Sequence, residues 1–211
     1  MSLYEKLKEI AGNDVVEIFG PSGSGKTSFC LALAVDAVKN GKSVYFVDAE
    51  RNVSSVPEGI KYVYDPTLDG ILNYVRYAPK ADLLILDSLG FPVVAKYSEA
   101  SMHEKGTMLL KSVTLASYLK VWTWRNNSLA VVTNQPVSEF GKENVRPEDL
   151  PPFGDKARFA VKEIYRTDIV EARPDLTVCS VKAWRSRKFG RGRELFVIKI
   201  SDEGIKVEVK V

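Results

Sequence analysis

The sequence predicts an α/β domain with a mostly parallel, twisted sheet flanked by helices and extended by antiparallel strands toward its C-terminal end. Three observations carry this. Short apolar runs alternate with longer helical-period segments through the first two thirds of the chain, the pattern of βαβ units. The last third consists of strand-like runs separated by turn residues, the pattern of hairpins. Between the first apolar run and the first long helical segment lies "GPSGSGKT", Gly20 to Thr27.

Taken in order, the N-terminal "YEKLKEI" reads as an amphipathic cap on the core. "VVEIFG" (15–20) is a buried strand, and "KTSFCLALAVDAVKNG" is a helix ending at Gly41, where glycine terminates it. Strands follow at 43–50 and 60–64, then a short helix from about Leu68 to Tyr77, a strand at 82–88, a long helix from about Met102 to Arg125 and a strand at 129–135. Continuous apolar runs of this kind belong to parallel strands covered on both faces. After them "IVEA", "TVCSVKAW", "ELFVIKIS" and "IKVEVKV" are punctuated by "RPD", "FGRGR" and "SDEG". The proline- and charge-rich 136–156 segment is long for a connection in a compact domain, which points to a functional loop.

Composition bounds the class. With 211 residues, 45% apolar and 27% charged, the chain can bury a real core and reads as globular. It shows neither a signal-peptide core nor an apolar run long enough to span a bilayer, so no membrane role and a cytoplasmic setting are expected. Cys30 and Cys179 are too few and too far apart in sequence for a disulfide framework and read as small core residues. The net charge is +3, and removing the six basic residues of "KAWRSRKFGRGR" (Lys182, Arg185, Arg187, Lys188, Arg191 and Arg193) turns it to −3. The basic excess is therefore local.

The chemistry starts at Gly20. "GPSGSGKT" fits G-x-x-x-x-G-K-[ST], in which glycines let successive backbone N–H groups converge on a phosphate at a helix N-terminus. Gly20, Pro21, Ser22, Gly23, Ser24, Gly25, Lys26, Thr27 and Ser28 are the candidate nucleotide-binding residues, with Lys26 toward the β- and γ-phosphates and Thr27 toward Mg²⁺. "LLILDS" puts Asp87 at the carboxyl end of a buried strand, on the sheet edge shared with the phosphate loop, where it can act on the same metal. "YFVDAE" puts Asp48 and Glu50 two residues apart and so on one side of a strand, with Glu50 able to polarise a water for attack. In "VVTNQP", the polar Asn134-Gln135 pair ends a buried strand where it can sense a γ-phosphate and start a mobile loop. His103 has no metal-ligand partners nearby, and the tryptophans of "VWTWR" (121–125) read as packing or as base stacking.

These motifs, in this order, resemble the ATPase core of the RecA/RadA recombinases, most closely the short archaeal RadA paralogs of the RadB kind, over roughly residues 12 to 207. The resemblance implies a RecA-like P-loop NTPase fold, ATP and Mg²⁺ as ligands, and ATPase activity dependent on DNA or assembly. It implies Lys26, Glu50 and Gln135 as catalytic residues, and Thr27 and Asp87 as metal ligands. It also implies DNA-facing loops at about 90–103 and 136–156. Only nineteen residues precede Gly20, so a single domain over 1–211 is expected, without the helix-hairpin-helix domain and linker of full-length relatives. The function expected is an accessory factor in homologous recombination and DNA repair. Its expected partners are single-stranded DNA, the principal recombinase or other paralogs, and further copies of itself. The alternative is a KaiC-like regulatory ATPase that assembles with ATP and has no DNA role. KaiC-like relatives place a Lys and an Arg on the late hairpin, which Lys182 and Arg185 resemble. The basic run therefore reads as acting in trans on a neighbour's phosphate, as gripping DNA, or as a solvated hairpin.

Overall fold

A computed structural model describes residues 1–97, 99–135 and 160–211, so the 136–156 loop expectation falls outside the described residues. One sheet of nine strands runs in the order β3-β2-β4-β5-β1-β6-β7-β8-β9. Its parallel part holds β1 (Val15–Phe19), β2 (Val44–Asp48), β3 (Ile60–Tyr64), β4 (Leu83–Asp87) and β5 (Leu129–Asn134). Except in β3, which forms the sheet edge, every residue of these strands is buried. That is why they read as unbroken apolar runs rather than as alternation.

Helices cover two cores. On one face, α1 (Leu3–Ala11) and α2 (Lys26–Lys39) pack with Val16, Ile18, Phe46, Ile85 and Val131. On the other, α3 (Leu68–Arg76) and α5 (Met102–Asn126) cover Val15, Val47, Leu84, Leu86 and Val132. Each such fully buried aliphatic side chain contributes about 1.5–3 kcal/mol. The expected N-terminal cap is α1: Ser2 and Glu5 form a reciprocal capping box, and Leu3, Tyr4, Leu7, Ile10 and Ala11 are buried. Both cysteines are free and buried.

Three features depart from the sequence reading. The connection expected as a loop at about 90–103 contains a helix, α4 (Gly90–Tyr97), and the start of α5. The strand expected from "IVEA" begins earlier, as β6 (Glu163–Ala172), and pairs parallel to β1 before pairing antiparallel to β7. Its first half was hidden by Glu163, Arg166 and Asp168, polar residues inside a sheet. The third departure concerns the basic run. β7 (Leu176–Arg185) ends at Arg185, so the run expected as one late hairpin leaves the strand there and Arg187 does not continue its alternation.

Beyond that end, Arg187 folds back onto its own chain. Its guanidinium meets Glu163 Oε1 at 3.2 Å and Asp14 Oδ2 at 2.9 Å, and donates to the Ala11 carbonyl at 2.9 Å. Glu163 also accepts from the Arg187 backbone N–H at 3.0 Å and from Tyr165 Oη at 3.2 Å, while Lys120 holds the other oxygen of Asp14. Lys188 donates to the Glu9 carbonyl, and Arg191 lies over the Trp184 ring at 3.7 Å. Half the basic run is thus employed in tying β6, β7 and α1 together. β8 (Glu194–Ser201) and β9 (Gly204–Val209) complete the sheet. Glu163 and Asp14 are almost fully buried, and carboxylates stripped of a partner there are costly. Replacing Arg187 with Ala is expected to lower unfolding free energy by about 2–4 kcal/mol, read from urea denaturation at pH 7.5.

Candidate nucleotide site

The turn from β1 into α2 is shaped by two glycines for different reasons. A Cβ at Gly20 would lie 2.3 Å from the Thr167 carbonyl oxygen of β6, so only hydrogen fits where the loop passes under that strand. Gly25 has φ +80° and caps α2, a backbone conformation that L side chains rarely adopt. No side chain caps the α2 N-terminus and no acid lies in its first turn. The N–H groups and positive dipole end are therefore left for an anion.

The loop residues divide between scaffold and cleft. Ser24 is buried and bonds the Pro21 carbonyl at 2.8 Å and Thr167 Oγ1 at 2.6 Å. With Gly20 and Pro21 it shapes the loop and lies outside the cleft lining. Ser22, Gly23, Gly25, Lys26, Thr27 and Ser28 line a cleft of about 170 Å³ together with Glu50, Asp87 and Gln135. Lys26 Nζ donates to the Gly20 and Pro21 carbonyls at 2.9 and 2.8 Å. That holds the ammonium inside the curl of the loop.

Four strands deliver the remaining side chains because their carboxyl ends are level. Asp48 pairs in register with Asp87, and Phe19 with Asn134. Asp48 and Glu50 do not share a side as their spacing suggested, because β2 ends at Asp48. The Asp48 carboxylate is wholly buried and accepts from the backbone N–H groups of Glu50 (2.9 Å), Arg51 (2.8 Å) and Val53 (3.3 Å) and from Tyr62 Oη (2.8 Å). It therefore bends the chain so that Glu50 reaches the cleft. There Glu50 accepts from Ser88 Oγ and, at 2.8 Å, from Asn52 Nδ2. Gln135 starts from an N–H donated to Asn134 Oδ1 at 3.0 Å, and Asn134 Nδ2 in turn donates to the buried Glu17 at 3.1 Å.

Asp87 carries the electrostatic signature of the site. It is nearly fully buried, and burial pushes its carboxyl up to about 6, against the opposing hydrogen bonds of Thr133 and Thr27; the charges of Glu50 and Asp48 add to the rise. Thr133 donates to Oδ1, whereas Oδ2 is buried and has no hydrogen bond of acceptable geometry. A carboxylate oxygen left unsatisfied beside a threonine hydroxyl and facing a second carboxylate suits a divalent cation, which compensates buried negative charge. The donor set therefore fits Mg²⁺ held by Thr27 and Asp87.

Sequence reasoning missed Asn52, Ser88, Thr133 and Ile200. Ser88 and Thr133 adjoin recognised motifs and were within reach. Ile200 comes from β8, and nothing in "ELFVIKIS" marks it as a wall of the cleft. Of the basic run, Lys182, Arg185, Arg187, Lys188, Arg191 and Arg193 all lie outside the cleft lining. Lys182, Arg185 and Arg193 carry no ion pair among the described residues.

Residues 4–126 match the family of IstB-like ATP binding proteins, so the chain carries that class of ATP-binding domain. The DNA repair and recombination protein RadB of Methanococcoides burtonii is 56% identical over 173 residues, 70% of this chain and 74% of its own. The chain belongs to the RadB family. RadB of Methanobrevibacter smithii is 34% identical over 152 residues, and the match spans 62% of each chain. Among solved structures, the RadB recombinase superposes with a TM-score of 0.70 at 17% identity, covering 97% of this chain and 98% of that one. The flagellar accessory protein FlaH from Methanocaldococcus jannaschii superposes with a TM-score of 0.65, also at 17% identity, covering 99% and 97%. These two likenesses establish the RecA-like fold alone.

The perturbed carboxyl gives a signed test. A carboxyl raised in the folded state is better protonated there than in the unfolded chain. Its charge therefore destabilises above about pH 6, and the penalty disappears as pH falls below the unfolded value near 4. Asp87→Asn is expected to stabilise the ligand-free chain at pH 7.5 by on the order of 1–3 kcal/mol and to abolish the extra thermal stabilisation given by Mg²⁺ with ATP. In the parent chain that Mg²⁺-dependent stabilisation should be larger at pH 7.5 than at pH 5.5. Differential scanning fluorimetry at the two pH values checks all three.

Proposed function

We propose that this RadB-family protein binds ATP·Mg²⁺ in the cleft over α2 and hydrolyses it as an accessory factor in homologous recombination and DNA repair, acting with single-stranded DNA and the cell's principal recombinase. The convergence of Lys26, Thr27, Glu50, Asp87 and Gln135 on one cleft carries the reading. Lys26 exchanges its loop carbonyls for β- and γ-phosphate oxygens. Thr27 and Asp87 hold the metal, which supplies neutralisation of phosphate charge. Glu50, aimed by Ser88 and Asn52, orients water and accepts its proton, and Gln135 reports the γ-phosphate to the segment that follows it.

Lys182, Arg185 and Arg193 are the cations of the late hairpin available to a polyanion, and we assign them to the DNA backbone. A second reading rests on the same cations: an assembling regulatory ATPase in which Lys182 and Arg185 reach a neighbouring copy's nucleotide.

Hydrolysis measured with and without oligothymidylate separates these. Lys26→Ala is expected to lose at least about a hundredfold in rate, and oligothymidylate to stimulate the parent. Arg185→Ala is expected to lower the salt slope of oligothymidylate binding by about 0.7, one phosphate contact. Activity surviving Lys26→Ala would sink the site assignment. ATP-dependent oligomers whose hydrolysis is lost in Arg185→Ala, with no DNA stimulation, would favour the second reading.

A further inference from the structure

A surface helix ordinarily turns its charged side outward. α5 does not. Its inward face buries Ser112, Leu115, Ala116, Leu119, Trp122 and Thr123, and α3 flanks it through Lys111–Asp69 and the stacking of Arg76 near Tyr118. The outward stripe then runs Leu110, Thr114, Ser117, Val121 and Trp124, in alternating steps of four and three residues. That spacing is the seam of a helix meant to meet another helix. Leu110 is 67% exposed, Val121 41% and Trp124 81%. The sequence could not distinguish the two tryptophans: Trp122 packs in the core, and Trp124 stands in solvent.

The two hydroxyls in the stripe do not make it polar. Thr114 Oγ1 donates to the Leu110 carbonyl at 2.9 Å and Ser117 Oγ to the Val113 carbonyl at 3.0 Å. Both groups are satisfied within the helix and present carbon outward. The result is a shallow apolar seam, narrow in the middle and ended by large side chains.

Its rim is basic. Within α5 the single acid is Glu104, consumed in the capping box with Ser101; Lys111 and Lys120 are paired with Asp69 and Asp14, and Arg125 lies exposed in the last turn. Beside its C-terminal half, Arg76 and Lys80 belong to a stretch of chain, 70–81, that has no acid. Tyr77, 71% exposed, lies there with Arg76 against its ring at 5.3 Å. A nucleic acid is disfavoured because the seam from Leu110 to Val121 offers neither charge nor a ring to stack on.

We propose that the outward face of α5, from Leu110 to Trp124, is the docking surface for an acidic amphipathic helix of a partner protein. Leu and Ile of that helix fill the seam, Trp124 is the anchor at one end, and its acids meet Arg76, Lys80 and Arg125.

The test uses the full chain and two fluorescent synthetic helices of roughly 20 residues, both with Leu at four-three spacing, one flanked by Glu and one by Lys. The Glu-flanked helix is expected to bind and to blue-shift tryptophan emission, with Trp124→Ala weakening it about tenfold or more. The Lys-flanked helix should not bind measurably. Leu110→Ala, at the opposite end of the seam, keeps the test readable should Trp124→Ala fold poorly, and it too should weaken binding. The proposal is overturned if the Glu-flanked helix does not bind, or binds equally to both variants. It is also overturned if Trp124→Ala lowers affinity for oligothymidylate, or dissociates a dimer of the chain, while leaving helix binding intact.

Discussion

The alignment of β2, β4, β5 and β1 in one parallel register is the constraint on which the site depends. Three of the strands end in a polar residue at the same level as the end of the fourth: Asp48 lies beside Asp87, and Asn134 beside Phe19 at the start of the phosphate loop. A slip of one residue would turn every side chain of a strand to the opposite face. Asp87 would then lose Thr133 and the cleft together. Full burial of both faces prevents such a slip, because it would drive Asp87 or Glu17 against the wrong core.

The same burial creates the chemistry. A carboxyl forced into the dry edge of the sheet beside Glu50 and Asp48 is poorly solvated and raised toward neutrality. The ligand-free protein bears that cost, which a cation offsets. Elsewhere buried charge is compensated within the chain, as Arg187 does for Glu163 and Asp14. The late basic run is therefore two sets of residues with different work. Arg187, Lys188 and Arg191 secure the antiparallel extension, and Lys182, Arg185 and Arg193 carry no ion pair among the described residues.

The parallel core was legible because strands buried on both faces show as continuous apolar runs, and the cleft residues because they end those runs. Asp87 stands out as a polar residue directly after Leu86, and Glu50 and Gln135 follow Val47 and Val132 by three residues. What escaped notice depends on partners distant in sequence. The start of β6 looks like a polar loop until Glu163 is seen with Arg187 and Thr167 with Ser24. Arg187 looks like surface charge until β7 is seen to end before it. Asp48 looks like a second site acid until its four donors are seen to come from its own loop and from Tyr62. Trp124 and Trp122 differ only in which face of α5 they occupy, and a helix with little amphipathic contrast does not announce that face.

The account's central claim is that one cleft holds nucleotide and metal between the phosphate loop and the level ends of β2, β4 and β5. A crystal structure with a non-hydrolysable ATP analogue and Mn²⁺ tests it most directly. The predicted result is an anomalous peak between Thr27 Oγ1 and Asp87, with Lys26 released from the Gly20 and Pro21 carbonyls and the γ-phosphate facing Glu50 and Gln135. A nucleotide bound in the cleft with Mn²⁺ remote from Asp87, or with Lys26 still on its loop carbonyls, would contradict it.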